Sequence, residues 1–170
     1  MSLINIRPLE RSDLPSRVSW INDELINETL SFSYPVSYAS TEAWFNKSIL
    51  DDTKKHFTIC IDENTPIGMC GLLGINYINK NAELYITIGN SKYHGQGYAK
   101  QAIHWLQNYA FNNLGLHKIF LHTFDYNNKA IGLYESTGFK REGLLREHLY
   151  IRGNYESILV YSILKKEFKE

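Results

Sequence analysis

The stretch "KYHGQGYAKQA", Lys92–Ala102, follows an apolar run, "AELYITIG", Ala82–Gly89. Apolar residues then recur three and four positions apart as far as Leu114, which predicts a helix with one buried stripe. Gly95 and Gly97 leave the backbone bare where that helix begins. Because the N-terminus of a helix offers unpaired N–H groups and a partial positive charge, this junction predicts a phosphate-binding loop.

The composition is that of a folded domain, with 170 residues of which 44% are hydrophobic. We predict one domain, residues 1–170, with its own core. Lysine plus arginine equals aspartate plus glutamate, at 18 each, which argues against a nucleic-acid partner held by an overall basic surface. No apolar run is long enough to span a bilayer, and the start of the chain does not resemble a secretory signal. We therefore expect no membrane partner and a cytoplasmic location.

The order of apolar patterns and turn signals predicts a mixed α/β fold. Alternation at Phe57, Ile59 and Ile61 is typical of a strand, and the turn signal "RGN", Arg152–Asn154, predicts a closing hairpin. The predicted strands are residues 4–9, 55–62, 67–75, 82–88 and 118–124, with hairpin strands 148–151 and 155–164. The predicted helices lie within 11–30, at 40–50 with Ser40 or Thr41 as the N-cap, at 98–114 and at 127–138.

The glycine loop matches one of three phosphate-binding designs. A P-loop requires Gly-Lys-Ser/Thr, which the chain lacks, and a dinucleotide fingerprint requires a third glycine where Lys100 stands. The segment "HGQGYA" resembles the acyl-CoA loop of the GNAT superfamily of N-acetyltransferases, Arg/Gln-x-x-Gly-x-Gly/Ala. His94 departs from the usual Arg or Gln. The resemblance implies that the acetyl-CoA pyrophosphate is bound by His94, Gly95, Gln96, Gly97, Tyr98 and Ala99.

Other segments extend this resemblance over nearly the whole chain. "NNKAIGLYESTGF", Asn127–Phe139, is similar to the second signature of the family, Asn-x-x-Ala-x-x-x-Tyr-x-x-x-Gly-Phe. "WINDE", Trp20–Glu24, and the closing hairpin resemble the branch that contains ribosomal-protein alanine, spermidine and aminosugar acetyltransferases. The implied fold is a mostly antiparallel sheet of six to seven strands, splayed between strands 4 and 5 and flanked by helices. The implied reaction moves an acetyl group from acetyl-CoA to a primary amine by direct attack.

The resemblance also implies roles for individual residues. Tyr134 falls on the family's general acid, although an aromatic residue on a short helix can simply pack. Glu83 is the implied base, directly or through water, and a solvated strand charge is the alternative; His148 is a weaker alternative base. Asn127 is implied to bond the pantetheine arm, and it can also cap a helix. The fourth-strand residues implied to line acetyl-CoA are Ile86, Thr87 and Ile88.

The sequence indicates the acetyl acceptor less clearly than it indicates the acetyl donor. Phe32, Tyr34 and Tyr155 are available as walls of an acceptor pocket, and we find no dense acidic cluster of the kind that spermidine would favour. We therefore expect a protein N-terminus, an aminosugar or another small amine, and an exposed edge or the hairpin could pair two copies as a homodimer. His117 and His122 lie on opposite faces of a strand, so we expect no metal. The alternative to an enzyme is a non-catalytic regulatory module that binds acetyl-CoA.

Overall fold

The computed structural model describes residues 3–30 and 35–169. Within these residues, one sheet has the strand order β1-β2-β3-β4-β5-β7-β6. All neighbouring strands pair antiparallel except β4 and β5, which are parallel. The strands are β1 Ile4–Pro8, β2 Lys55–Ile61, β3 Thr65–Asn76, β4 Asn81–Ile88, β5 Lys118–Phe124, β6 Lys140–Ile151 and β7 Asn154–Leu164.

Helices cover both faces of this sheet. They are α1 Leu14–Asn22, α2 Glu24–Asn27, α3 Tyr38–Ser48, α4 Tyr98–Asn108 and α5 Asn128–Ser136. A π-helical turn, Tyr109–Asn113, continues α4. Single 3-10 turns lie at Arg11–Asp13, Ser91–Tyr93 and Lys165–Glu167. The mixed α/β class that the sequence predicts is therefore confirmed.

The two faces of the sheet have separate apolar clusters. Ala102, Ile103 and Leu106 form the predicted stripe of α4 and are fully buried against one face. Leu14, Trp20, Phe45 and Met69 form a smaller cluster on the other face, beneath α1 and α3. Along β3, Met69 lies in the smaller cluster while Cys70 and Leu72 lie in the larger one, as strand alternation requires. We call the face beneath α1 and α3 the acceptor face, because the resemblance implies an acceptor pocket between the early helices and the closing hairpin.

β4 and β5 separate after a short parallel contact. Asn81, Ala82 and Glu83 pair with Lys118, Ile119 and Phe120, and no pairing between these two strands follows within the described residues. Beyond this point β4 is paired with β3 only, and β5 with β7 only. We call the point after Glu83 and Phe120 the fork. It is the splay between strands 4 and 5 that the resemblance implied.

Several element boundaries differ from the sequence prediction. Helix α3 begins at Tyr38, because Ser37 rather than Ser40 or Thr41 is its N-cap. The Ser37 hydroxyl accepts from the Ser40 N–H at 3.0 Å, and the Ser40 hydroxyl accepts from the Ser37 N–H at 3.1 Å. Strand β6 starts eight residues before the predicted strand at 148–151, since pairing with β7 holds even its exposed, polar half.

Candidate active site

The glycine loop lies between β4 and α4 and has the backbone form that only glycine adopts easily. Gly95 and Gly97 have φ values of 73° and 80°, and Gly97 is the N-cap of α4. A side chain in this left-handed region costs about 1–2 kcal/mol per residue. A Cβ on Gly95 would meet no atom within 4 Å, so its backbone faces open space that a ligand can occupy.

The remaining loop residues support the backbone rather than reach outward. His94 Nε2 donates to the Ile88 carbonyl at 2.8 Å, and Gln96 Nε2 donates to the Lys92 carbonyl at 2.7 Å. Tyr98 is buried in the larger core cluster, so only its backbone can contact a ligand. Ala99 follows in the first turn of α4, where N–H groups have no intrahelical acceptor. The loop therefore offers backbone donors, as pyrophosphate binding requires.

The fork leaves one edge of β4 without a strand partner. Ile86 and Thr87 lie on this stretch, and Ile88 ends it with a carbonyl that already accepts from His94. Ile86 and Ile88 pack partly against the larger core. A free strand edge can hold an extended ligand through main-chain hydrogen bonds, in the manner of an added strand. The backbone N–H groups along this edge can also donate hydrogen bonds to a ligand oxygen that gains negative charge during a reaction.

Tyr134 has a buried ring and a hydroxyl with no hydrogen-bond partner among the described residues. The residue is 8% exposed, and its ring centroid lies 6.0 Å from that of Phe139 and 6.5 Å from that of Tyr161. Burial raises the pKa of Tyr134 to about 12. The phenol is therefore protonated at neutral pH and can donate a hydrogen bond to a ligand. Because this hydroxyl has no partner among the described residues, it can donate to a bound group.

Asn127 caps helix α5. Its Oδ1 accepts from the Ala130 N–H at 3.1 Å, which is the capping role named as one possibility from the sequence. The Nδ2 donors have no partner within the described part of the chain. The same side chain can therefore cap the helix and still donate to a ligand.

Glu83 is paired with a histidine that sequence reasoning did not connect to it. His122 Nδ1 lies 2.6 Å from Glu83 Oε1, and about a third of each side chain is exposed, 33% and 36% respectively. Glu83 is the last β4 residue before the fork, and His122 lies two residues beyond Phe120 on β5. No local motif joins residues that are 39 positions apart, because their contact depends on the register of two parallel strands.

A buried polar chain fixes β4 on the acceptor face. The Tyr85 hydroxyl lies 2.6 Å from His56 Nδ1, and His56 Nε2 lies 2.8 Å from the Ser48 hydroxyl. Burial, with a smaller contribution from the nearby Arg17 guanidinium, lowers the pKa of His56 to about 4, so the imidazole is neutral. The chain of bonds joins α3, β2 and β4 into one unit.

The end of β4 depends on Gly89. A Cβ on Gly89 would lie 2.1 Å from the Trp20 indole, so only glycine lets α1 pack this closely. The N–H groups of Gly89 and Asn90 both donate to the Ile67 carbonyl, at 2.8 and 3.3 Å. The irregular register between β3 and β4 lies at the other end of the pair, between Leu73 and Asn76.

The closing hairpin is tied to α2. Arg152 Nη2 donates to the carbonyl of Asn27 at 2.7 Å and to its side-chain Oδ1 at 2.8 Å. Tyr155 and Tyr150 lie on the same hairpin with ring centroids 5.0 Å apart, and each is 67% exposed. The other two residues expected to line the acceptor pocket, Phe32 and Tyr34, lie outside the described residues.

The fold gathers acidic groups near this hairpin. The Tyr126 ring stacks on Phe124 with centroids 5.0 Å apart. Burial and the carboxylates of Glu156, Asp125 and Glu28 together raise the pKa of Tyr126. These three carboxylates come from β7, from the end of β5 and from the end of α2. They are not close in sequence, which is why the sequence showed no acidic cluster.

The described residues contain neither a metal-binding cluster nor a membrane-spanning helix. No set of three or more His, Cys, Asp or Glu side chains converges on a possible ion within residues 3–30 and 35–169. None of the helices in these ranges is both long and apolar enough to cross a membrane. Cys60 and Cys70 are buried free thiols.

The chain is similar to known proteins over nearly its whole length. A family model described as "Acetyltransferase (GNAT) domain" matches residues 4–140. Spermidine N(1)-acetyltransferase from Vibrio cholerae is 35% identical over 170 residues, covering 98% of this chain and 96% of the relative. The enzyme of that name from Escherichia coli K12 is 29% identical, covering 97% and 88%.

Two further comparisons bear on the ligands. A putative ribosomal N-acetyltransferase from Bacillus subtilis is 27% identical, covering 98% of this chain and 93% of the relative. The crystal structure of spermidine N-acetyltransferase from V. cholerae in complex with CoA and spermine superposes with a TM-score of 0.90. It is 35% identical and covers 96% of each chain.

Proposed function

The chain belongs to the GNAT family of acetyl-CoA-dependent N-acetyltransferases, and from this premise we propose that its acceptor is a small polyamine of the spermidine type. One observation carries the proposal: the similarity to a solved spermidine N-acetyltransferase, in complex with CoA and spermine, covers 96% of this chain. The relative named for a ribosomal target is less similar, at 27% identity. A polyamine is therefore favoured over the protein N-terminus and the aminosugar expected from the sequence.

The described residues fit acetyl-CoA. The backbone of Gly95 and Gly97 and the first turn of α4 would hold the pyrophosphate. The free edge of β4 along Ile86 and Thr87 would hold the pantetheine arm, with Asn127 Nδ2 as a further donor. The unpartnered hydroxyl of Tyr134 would lie at the sulfur. When bound, acetyl-CoA supplies an acetyl thioester that an amine can attack.

The residues at the fork supply the remaining chemistry. An alkyl ammonium with a pKa of about 10 must lose a proton before its nitrogen can attack. The Glu83–His122 pair is placed to accept that proton on the acceptor face. The N–H groups of β4 stabilise negative charge on the thioester oxygen, and Tyr134 donates toward the departing sulfur.

The acceptor region matches a molecule with several positive charges. The carboxylates of Glu28, Asp125 and Glu156 lie near enough to Tyr126 to raise its pKa, and its stacked ring offers an aromatic face. Arg152 joins α2 to the hairpin and so sets the distance between these groups. One amino group of a polyamine can then be held here while another reaches the fork.

The test is release of CoA thiol from acetyl-CoA across a panel of amines. The panel contains spermidine, spermine, peptides that begin with Ala, Ser or Met, amino-sugar nucleotides and aminoglycosides. We expect a saturable rate with the polyamines. Turnover of a peptide or an aminosugar alone would contradict the polyamine proposal while keeping the transferase.

Binding of acetyl-CoA is measured separately by thermal unfolding. A ligand at about 100 times its Kd adds roughly 2.7 kcal/mol to the free energy of unfolding, which raises Tm by several degrees. A Tm shift without thiol release from any amine would favour the regulatory module. The absence of any Tm shift would reject the acetyl-CoA site.

A further inference from the structure

We propose that His122, oriented by Glu83, is the catalytic residue that takes the proton from the attacking amine. The inference rests on the proposed function and replaces Glu83 as the proton acceptor. Glu83 is then a positioning residue.

The two side chains meet on the face where an acceptor must approach. Strand alternation places Phe120 and His122 on one face of β5, opposite Ile119 and Leu121, which lie in the larger core. The His122 ring packs edge-on against Phe120, with centroids 5.8 Å apart. Glu83 contributes the carboxylate from β4. The pair therefore lies at the fork, beside the free edge of β4.

The hydrogen bond assigns the tautomer of the imidazole. An ionised carboxylate only accepts hydrogen bonds, so Nδ1 of His122 must carry the hydrogen in its 2.6 Å contact with Glu83 Oε1. In the neutral ring, Nε2 then has a free lone pair. This atom has no hydrogen-bond partner within the described residues, and the side chain is 33% exposed. The same carboxylate–imidazole arrangement places a basic Nε2 in hydrolase triads.

Among the described neighbours of His122 on β4, β5 and β7, Glu83 is the charged group bonded to it. Lys118, four residues earlier on the same face of β5, is engaged with Glu142 at 2.7 Å. On β4, the hydroxyl of Tyr85 is bonded to His56. On β7, Val160 is opposite His122.

The protons balance in this assignment. Nε2 of His122 takes one proton from the ammonium, and Glu83 stabilises the imidazolium until that proton passes to solvent. The free amine forms the C–N bond to the acetyl carbon as the C–S bond breaks. The second amine proton replaces the one that Tyr134 donates to the sulfur, so the products are the acetylated amine, CoA thiol and one proton.

The experiment compares the dependence of kcat on pH in wild type, His122→Gln and Glu83→Gln. His104→Gln is the matched control, because it removes an exposed imidazole from α4, where the ring packs near Phe168. We expect His122→Gln to lower kcat by about 10²–10⁴-fold and to lose the rising limb in the imidazole range. Glu83→Gln should keep that limb, move it to lower pH and lose less activity. The KM for acetyl-CoA should change by less than about twofold in each variant.

A second readout does not require turnover. Nitrogen-15 NMR of the wild-type imidazoles at pH 8 should show His122 with its hydrogen on Nδ1, assigned by loss of the signal in His122→Gln. Hydrogen on Nε2 would overturn the proposal, as would a rising limb that survives in His122→Gln. A wild-type protein that binds acetyl-CoA but acetylates no amine would reject the proposed function itself, and the assignment with it.

Discussion

Replacing Tyr134 with Phe isolates a single hydrogen bond in the proposed reaction. The substitution removes the hydroxyl and keeps the ring that packs against Phe139 and Tyr161. Because the hydroxyl has no hydrogen-bond partner among the described residues, its loss leaves no buried group unpaired. We therefore expect the free energy of unfolding to change by less than about 0.5 kcal/mol.

The raised pKa of Tyr134 indicates that the residue acts as a hydrogen-bond donor. Burial takes that pKa from its ordinary value of 10.0 to about 12, which disfavours the phenolate by about 2.7 kcal/mol. The phenol therefore stabilises the leaving thiolate chiefly by donating to it. A hydrogen bond to a charged group contributes about 1.5–3 kcal/mol, so Tyr134→Phe should lower kcat by about 10- to 160-fold.

The assay measures kcat with acetyl-CoA and with acetyl thioesters of more acidic thiols. A more acidic thiol leaves with less help, so the deficit of Tyr134→Phe should shrink along the series. Tyr109→Phe is the control, since burial also raises the pKa of Tyr109 but the residue lies on the turn that follows α4. A Tyr134→Phe enzyme within twofold of wild type, or one with an equal deficit for every thioester, would refute the reasoning.

Three further predictions test the glycine loop, the closing hairpin and the partly buried His56. Gly97→Ala should raise the KM for acetyl-CoA about tenfold with kcat nearly unchanged, because alanine disfavours the φ of 80° at the N-cap. The control is Gly132→Ala, which has open space around its Cβ and should leave the KM for acetyl-CoA unchanged. Arg152→Gln should raise the KM for the polyamine about three- to thirtyfold, because losing the Arg152–Asn27 hydrogen bonds loosens α2 from the hairpin. The KM for acetyl-CoA should stay within twofold of wild type. Equal changes in the two KM values would contradict the prediction. The pKa of His56 is lowered from 6.5 to about 4 in the folded chain. As the pH falls from about 6.5 to 4, His56 therefore binds a proton in the unfolded chain but stays neutral in the folded chain, which destabilises the fold. Stability should fall by about 1.8 kcal/mol from pH 7 to pH 5 for a fully buried ring, and by about 1 kcal/mol for this partly exposed one. Urea unfolding at the two pH values measures this loss, and His56→Gln should lack it. An equal loss in His56→Gln and wild type would contradict the assignment to His56.

Local motifs account for what the sequence could predict. The glycine loop and the Asn127–Phe139 signature each lie within a short stretch, and each combines a backbone requirement with a chemical one. Gly95 and Gly97 do adopt left-handed backbone, whereas the role of Tyr134 as general acid stays a prediction. Features of this kind can be read from neighbouring residues, because their geometry is set within one turn of chain.

Features that depend on register could not be predicted. The local sequence around His122 lets it be considered only as a possible metal ligand, because nothing in that segment indicates that Glu83 lies opposite. The acidic group around Tyr126 needs α2, β5 and β7 to converge. Even the N-cap of α3 was misplaced, since Ser37 and Ser40 carry the same hydroxyl and only the reciprocal hydrogen bonds identify which one caps the helix.

Strand β4 is fixed by β3 along one edge and by side chains on the acceptor face. This fixed position explains how the N–H groups on its free edge can bind a ligand in a defined orientation. β3 approaches so closely that a Cβ on Gly68 would lie 2.3 Å from the Thr87 carbonyl oxygen, so only glycine at this position allows the two strands to pair this closely. On the acceptor face, Tyr85 is bonded through His56 to α3, and Trp20 covers Gly89. The N–H groups at the fork are thus oriented before a thioester arrives. Donors that need no reorganisation stabilise a developing negative charge more than donors that must first be aligned. In the proposed mechanism, the bracing around β4 therefore contributes to catalysis without direct contact with the substrate.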